Sequence, residues 1–212
     1  RQRIVNLIKD YRTLLGQGVV ARFDPETYSD AVAFARIGEG SLGGKARGLA
    51  FMNSMILKHR LYDKHANVRI MIPRSVVIAT DYFDDFIRLN GLKYIISQEF
   101  SDEEILSEFV SSTVPARLQQ ELKAYIQTVR TPLAVRSSSK LEDSHYQPFA
   151  GIYSTYMIPY VDNGDQMLRL LLKAVKSVYA SVYFATSRAY LSSSQNLISE
   201  EKMAVIIQEV CG

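Results

Sequence analysis

The sequence has few of the residues that build metal and redox centres. Its 212 residues include one cysteine, three histidines and no tryptophan. A single cysteine excludes an internal disulfide and any site with several cysteine ligands, and it is typical of a reducing compartment. Three histidines are few for a metal centre. We therefore expect a cytoplasmic protein whose own side chains form no metal site.

Long apolar runs and runs of one charge are also missing. No apolar stretch approaches the roughly 20 residues that a membrane span needs. The first residues do not form a signal peptide, because Lys9, Asp10 and Arg12 interrupt them. Lysine and arginine total 25 against 22 acidic residues, a net charge of +3, and the basic residues are scattered. The sequence therefore predicts a globular domain with neither a membrane nor a nucleic acid as its partner.

The apolar pattern alternates between helical and extended periods. Thr80 and Asp81 are expected to cap one helix, and Ser101 with Glu104 forms a capping box. The mixture lacks a strict strand–helix alternation, so we predict an α+β fold. Helices are predicted at 3–15, 47–60, 82–90, 101–111, 115–129 and 165–191, and strands at 31–37, 68–79, 133–135, 152–158 and 203–210.

Glycine is concentrated in one place. Five of the 11 glycines lie within residues 38–48, in the run GEGSLGGKARG. Glycines let backbone N–H groups approach an anion, and the helix predicted to follow adds the positive end of its dipole. Lys45 brings a mobile positive charge to the same point. The run is therefore a candidate phosphate-binding loop.

Three nucleotide loops can be compared with this run. Gly38, Gly40 and Gly43 satisfy the dinucleotide fingerprint, but no clear series of parallel βαβ units follows. A P-loop is excluded, because Glu39 stands where its first glycine should be and Ala46 where its hydroxyl residue should be. A Gly-Gly-Lys phosphate loop that opens a helix fits best. A flexible linker ending in a glycine turn remains an alternative.

A second candidate anion site is the segment Pro132–Ser139, with the sequence PLAVRSSS. Its pattern predicts that Arg136 leaves the end of a buried strand and enters a serine-rich loop. The guanidinium fork suits bridging between phosphate oxygens. The alternative is that Arg136 pairs with Glu142 or Asp143 to hold a long loop.

These segments occur in a recognisable order. After GGKARGL at 43–49 comes IPRSVVIAT at 72–80, and PLAVRSSS at 132–139 is followed by Phe149-Ala150-Gly151 and Thr155. MAVIIQEV at 203–210 closes the series. Together they resemble the N-terminal nucleotide-binding domain of phosphoenolpyruvate synthase and pyruvate phosphate dikinase, a variant of the ATP-grasp fold. The resemblance covers about residues 36–212.

The resemblance implies a role for each matching residue. Lys45, after Gly43 and Gly44, matches the lysine that contacts the ATP phosphates. Arg136, followed by Ser137, matches the arginine expected on the transferred phosphates. Lys45 and Arg136 would therefore be the catalytic residues, and all five would bind ATP.

The remaining matches are a closing loop and a hinge. Gly151 and Thr155 match the loop that closes over the phosphates. The last segment matches the hinge between ATP-grasp lobes, where backbone groups meet the adenine edge. Its residues are Gln208, Glu209, Val210 and Cys211.

The resemblance also implies a domain organisation. Residues 36–212 would be the first part of the nucleotide-binding domain, an ATP-grasp-like lobe with a mixed sheet and flanking helices, which ends at the hinge. Residues 1–35 would be a helix and a linker. Mg²⁺ is expected through ATP and the second lobe, and phosphohistidine and pyruvate-binding sites through further domains. The chain would pack against that lobe and the phosphohistidine domain, and homodimer formation is left open.

The implied activity is that of an ATP-dependent phosphotransferase. Phosphate would pass from ATP to a histidine in another domain and then to pyruvate, and the chain alone would be an incomplete catalyst. Two alternatives stay open. One is a non-catalytic module that senses nucleotides, and the other is a dikinase-type kinase with a different acceptor.

Overall fold

The structure is a computed structural model, and it describes residues 20–26, 28, 34–96, 98–139, 153–193 and 201–211. These residues form one mixed β-sheet with helices on both of its faces. The predicted α+β class is therefore confirmed. The predicted helix at 3–15 lies outside the described residues.

Six strands and six α-helices are described. The strands are β1 (Ala21–Arg22), β2 (Phe34–Ile37), β3 (Ser75–Ile78), β4 (Leu133–Ser139), β5 (Thr155–Ile158) and β6 (Met203–Glu209). The helices are α1 (Gly43–Lys58), α2 (Thr80–Leu89), α3 (Asp102–Ser111), α4 (Ala116–Thr128), α5 (Gly164–Ala180) and α6 (Ala185–Ser193). Short 3₁₀ turns occur at Leu61–Asp63, Leu92–Ile96 and Ser181–Tyr183.

The strand order in the sheet is β1-β2-β3-β6-β4-β5. The first three strands are parallel, and α1 lies in the connection from β2 to β3. Strand β6 runs antiparallel between β3 and β4, and β5 is antiparallel to β4. Strand β6 thus joins the parallel half of the sheet to the antiparallel half, and its neighbours on either side come from distant parts of the chain.

The two faces of the sheet carry cores of different size. The larger core joins one face to α2, α3, α4 and α5, and it includes Phe86, Phe109, Leu122, Tyr125 and Tyr179, each at most 1% exposed. The smaller core, on the opposite face, holds Phe34, Val77, Ala204 and Ile206 against Ala46 of α1. Among the described residues, one face is therefore broadly covered, whereas α1 is the only helix packed on the other face.

Several predicted boundaries were wrong. Helix α1 begins at Gly43 rather than at residue 47, so both glycines of the Gly-Gly-Lys run lie inside the helix. The helix predicted at 165–191 is broken by the 3₁₀ turn at Ser181–Tyr183 into α5 and α6. The capping box at Ser101 and Glu104 is confirmed, with both reciprocal hydrogen bonds present.

Two errors concern the candidate site directly. Strand β4 does not end at residue 135 but continues to Ser139, because β6 pairs with it along its whole length. Arg136 is therefore inside a strand and not in a serine-rich loop. Helix α2 begins at Thr80 after Ala79 at the N-cap, and no side chain caps it. The Thr80 and Asp81 side chains bind another segment, described below.

Candidate functional site

The glycine-rich segment connects β2 to α1 and passes very close to β4. Gly43 has a φ of +73°, which L side chains rarely adopt. A Cβ on Gly43 would lie 1.8 Å from the carbonyl oxygen of Ser138. The first turn of α1 can therefore rest on β4 only because residue 43 is a glycine.

The first half of the segment is held by the start of α2. The Asp81 carboxylate accepts hydrogen bonds from the N–H groups of Glu39 (2.9 Å) and Gly40 (3.1 Å). Thr80 Oγ1 accepts from the Ser41 N–H (3.0 Å), and the Thr80 N–H donates to the Ser41 carbonyl (3.0 Å). The prediction that the glycines free these N–H groups for an anion is wrong for residues 39–41, because protein groups already accept from them.

The glycines of this half serve close packing. A Cβ on Gly38 would meet Asp81 Oδ1 at 2.6 Å, and one on Gly40 would meet the Asp81 backbone nitrogen at 2.6 Å. Gly38 also has a φ of +93°. These two glycines let the segment reach the Asp81 carboxylate, and so they explain the first half of the composition cluster without a ligand.

The second half of the segment is anchored by two serines of β4. Ser138 Oγ donates to the Leu42 carbonyl (2.8 Å) and accepts from the Ala46 N–H (3.0 Å). The half-buried Lys45 places its Nζ 3.3 Å from Ser137 Oγ. These contacts seat the N-terminal turn of α1 on β4 and bring Lys45 to the residue that follows Arg136.

The start of a helix leaves N–H groups without acceptors inside the helix. In α1, Ser41 Oγ takes the N–H of Gly43 at 3.3 Å, and Ser138 takes that of Ala46. Among the described contacts, none uses the N–H of Gly44. The helix dipole adds partial positive charge at the same place. The part of the glycine run that suits an anion is therefore the first turn of α1, at Gly44 and Lys45.

Arg136 lies on the face of the sheet that α1 covers, and it is half-buried. It pairs across the ladder with Thr155, which is exposed on β5. Its Nη1 lies 3.5 Å from Gln208 Oε1. Glu142 and Asp143, the alternative partners named from sequence, lie outside the described residues, as does Gly151.

The predicted hinge residues form the end of β6. The Glu209 N–H donates to the Arg74 carbonyl (2.9 Å) and the Val210 N–H to the Pro132 carbonyl (3.0 Å). The Glu209 carboxylate forms an ion pair with Arg74 Nε at 2.8 Å. Because these groups already serve the sheet, the Glu209 and Val210 N–H groups are not available for adenine in this arrangement. The Cys211 N–H makes no such bond to a described residue.

The structure thus gathers Gly43, Gly44, Lys45, Arg136 and Ser137 at one end of α1. Gln208 reaches the same group through its side chain, although sequence analysis gave it only a backbone role. Sequence analysis missed four residues that support the site. They are Ser75, Thr80, Asp81 and Ser138.

The sequence offers weak signals for those four. Thr80 and Asp81 follow a buried strand, where polar residues often serve a site, but that position also suits a helix cap. Ser75 and Ser138 are fully buried in strands. A buried hydroxyl needs a hydrogen-bond partner, although the sequence does not say which one.

Two further features bear on the class of protein. Within the described parts of the chain, no group of three or more His, Cys, Asp or Glu side chains could hold a metal ion. In the same residues, every helix is too short or too polar to cross a bilayer. The described residues therefore contain neither a cluster of metal ligands nor a candidate membrane span.

Comparison with known proteins adds a family and a relative. Residues 39–212 match the family described as "pyruvate phosphate dikinase, AMP/ATP-binding domain". A protein of Bacillus subtilis (strain 168), named "uncharacterized phosphotransferase YvkC", is 28% identical over 181 residues. That alignment covers 84% of this chain and 19% of the relative, so the chain spans about a fifth of the length of that protein.

Proposed function

The chain belongs to the pyruvate phosphate dikinase AMP/ATP-binding domain family, and on that premise we propose that Lys45 and Arg136 hold the phosphates of ATP for phosphoryl transfer. The family makes the domain a dikinase-type ATP-binding module. Beyond the family, we propose which residues bind the phosphates and which reaction follows.

One observation carries the proposal: Lys45 Nζ lies 3.3 Å from Ser137 Oγ, beside Arg136, at the N-terminal turn of α1. Lys45 thus contacts the strand residue next to Arg136, at a place where a helix dipole also favours negative charge. Lys45 and Arg136 are far apart along the chain, so the α1–β4 contact is what brings Lys45 to the strand that carries Arg136. A linker would need no such contact.

The ATP phosphates fit this corner on chemical grounds. Lysine acts as a mobile point charge, whereas the planar arginine fork can bridge two phosphate oxygens. Gly44 places a backbone N–H next to them without a side chain in the way. Thr155, exposed opposite Arg136, can supply a hydroxyl to the same phosphates.

Positioning and charge stabilisation account for most of the catalysis of phosphoryl transfer. Lys45 and Arg136 would keep the triphosphate extended and neutralise charge on the transferred group. The P–O bond to the nucleotide would break as a P–N bond to a histidine imidazole forms. The methyl group of pyruvate would then lose a proton, and a P–O bond to the resulting enolate oxygen would replace the P–N bond. The second phosphoryl group lost in forming AMP would go to water or inorganic phosphate.

The histidine, the pyruvate site and the ligands of Mg²⁺ are proposed for other parts of the protein. When bound, Mg²⁺ would neutralise phosphate charge, and the described residues contribute no carboxylate cluster to hold it. We further propose that residues 36–212 form the first lobe of the domain, that Gln208 to Cys211 lie at the adenine, and that Gly151 and Thr155 close over the phosphates.

The test is ATP turnover by the full-length protein with pyruvate present. We expect AMP to form and a phosphohistidine to be detectable, and we expect Lys45→Ala and Arg136→Ala to lower AMP formation by about 100-fold or more. Lys58→Ala is the matched control, since Lys58 is exposed at the other end of α1.

The outcomes separate the alternatives. Absence of AMP, or AMP formation that ignores both substitutions, would contradict the proposal. ATP binding without phosphohistidine would support a nucleotide-sensing module instead. Phosphohistidine that does not pass its phosphate to pyruvate would indicate a different acceptor, which the name of the B. subtilis relative leaves open.

A further inference from the structure

Three polar side chains form a line across the sheet on the face that α1 covers. Ser75 on β3 is paired in register with Gln208 on β6, and Gln208 is paired with Ala134 on β4, two residues before Arg136. Ser75 is fully buried, and Gln208 and Arg136 are half-buried. The line leads from the inside of the sheet to the guanidinium.

The carbonyl group of Pro73, next to Ser75, fixes the direction of each hydrogen bond in this line. The Pro73 carbonyl can only accept, so the Ser75 hydroxyl donates to it, at 2.8 Å. Ser75 Oγ then accepts from Gln208 Nε2 at 3.1 Å. The Gln208 amide is thereby oriented with Oε1 toward Arg136 Nη1, 3.5 Å away.

A Gln208 amide turned the other way would point an NH₂ group at the guanidinium. Two donors would then face each other, and Arg136 would lose a polar acceptor in a half-buried position. Among the described residues, the 3.5 Å contact with Gln208 engages one of the five guanidinium N–H groups, and the proposed role of the others is to bind phosphate.

We propose that Ser75 is a positioning residue for ATP binding, acting through the Gln208 amide to hold Arg136 toward the phosphates. The inference rests on the proposed function. Ser75 itself contacts Pro73 and Gln208 rather than Arg136. Its proposed role requires neither a movement nor a change of charge.

The test measures affinities of the full-length protein for ATP and for adenosine, since only ATP has phosphates for Arg136. Ser75→Ala should weaken ATP binding by about five- to tenfold and leave adenosine binding unchanged. Ser177→Ala is the matched control. Its hydroxyl is also buried and also donates to a carbonyl, that of Lys173, but it lies on α5. The control should not change the ratio of the two affinities.

A double-mutant cycle then tests whether the effect passes through Arg136. In an Arg136→Ala background, Ser75→Ala should cost less than about twofold in ATP affinity. Gln208→Met, which removes the amide at similar length, should weaken ATP binding more than adenosine binding, although Gln208 is also proposed to lie at the adenine. It keeps the test valid if Ser75→Ala folds poorly. An equal loss of ATP and adenosine binding, or full additivity with Arg136→Ala, would overturn the inference.

The affinities also separate an error in the proposed function from an error in the role of Ser75. If Arg136→Ala alone leaves the preference for ATP over adenosine intact, then Arg136 does not bind the phosphates and the proposed function is wrong. If Arg136→Ala removes that preference and Ser75→Ala does not reduce it, only the role of Ser75 is refuted.

Discussion

Asp81 Oδ1 accepts a hydrogen bond from the N–H of Gly40 at 3.1 Å, across a separation of 41 residues along the chain. The second carboxylate oxygen accepts from Glu39 at 2.9 Å. A carboxylate thus occupies the place that a phosphate would take if the whole glycine run were the cradle. The proposed phosphate contacts are therefore confined to the first turn of α1.

We expect Asp81→Ala to loosen the segment that leads into α1. Loss of two hydrogen bonds, one from the exposed Glu39 and one from the half-buried Gly40, should lower the free energy of unfolding by about 1–3 kcal/mol and weaken ATP binding several-fold. Urea unfolding and nucleotide titration measure the two effects. Asp85→Ala is the control, because the Asp85 side chain on the same helix is 44% exposed and pairs only with Arg88 in the described structure. Tighter ATP binding by Asp81→Ala would show that the carboxylate competes with phosphate instead.

The sequence indicated Lys45 and Arg136 as candidate site residues, but not the contacts that fix the elements carrying them. Lys45 and Arg136 could be selected because glycine, lysine and arginine in those patterns favour anion binding locally. The Asp81 and Ser138 contacts join residues far apart in sequence, and neither hydrogen bond leaves a periodic pattern in the chain. Such contacts depend on strand order, which the sequence alone did not provide.

The helix and strand errors have a related cause. Glycine has low helix propensity, so Gly43 and Gly44 suggested a loop, yet Ser138 and Ser41 accept the N–H groups of this first turn and stabilise it. Three consecutive serines suggested a loop after residue 136. In the sheet, β6 pairs with all three and buries them, and tertiary pairing overrides their low strand propensity.

Gly43 and Gly48, both within α1, should respond to alanine in opposite directions. Gly43→Ala should lower the free energy of unfolding by about 2–5 kcal/mol, because it combines a left-handed φ with a Cβ 1.8 Å from Ser138 O. Gly48→Ala should raise it by about 1 kcal/mol, since Gly48 is exposed within α1 and a Cβ there meets no atom within 4 Å. Chemical denaturation of both variants measures the difference, and equal effects would contradict the described seating of α1.

Alkaline pH should destabilise the protein partly through Tyr28. Burial raises the pKa of Tyr28 from 10.0 to about 12, and the nearby Arg74 opposes this only in part. Because the folded-state pKa is the higher one, the contribution to stability is complete below pH 10 and is lost as the pH rises through about 12. It amounts to roughly 3 kcal/mol.

Tyr28→Phe isolates that contribution, since Tyr82 and Tyr125 also have raised pKa values and titrate in both proteins. We expect the unfolding free energy of the variant to fall less steeply between pH 10 and 12 than that of the wild type. Tyr62→Phe, at an exposed tyrosine, serves as the control. Parallel pH profiles for wild type and Tyr28→Phe would contradict the prediction.

The ion pair between Arg74 and Glu209 ties the start of β3 to the end of β6. Its side chains are only 17% and 13% exposed, and Arg74 also stacks on the Tyr28 ring, 4.9 Å from the centroid. Removing one partner leaves the other charge poorly solvated, so Arg74→Met or Glu209→Met alone should cost about 3 kcal/mol of unfolding free energy. The double substitution should cost clearly less than the sum of the two, because it leaves no unpaired charge. A double-mutant cycle by urea unfolding measures this coupling, and strict additivity would show that the pair contributes nothing beyond its separate contacts.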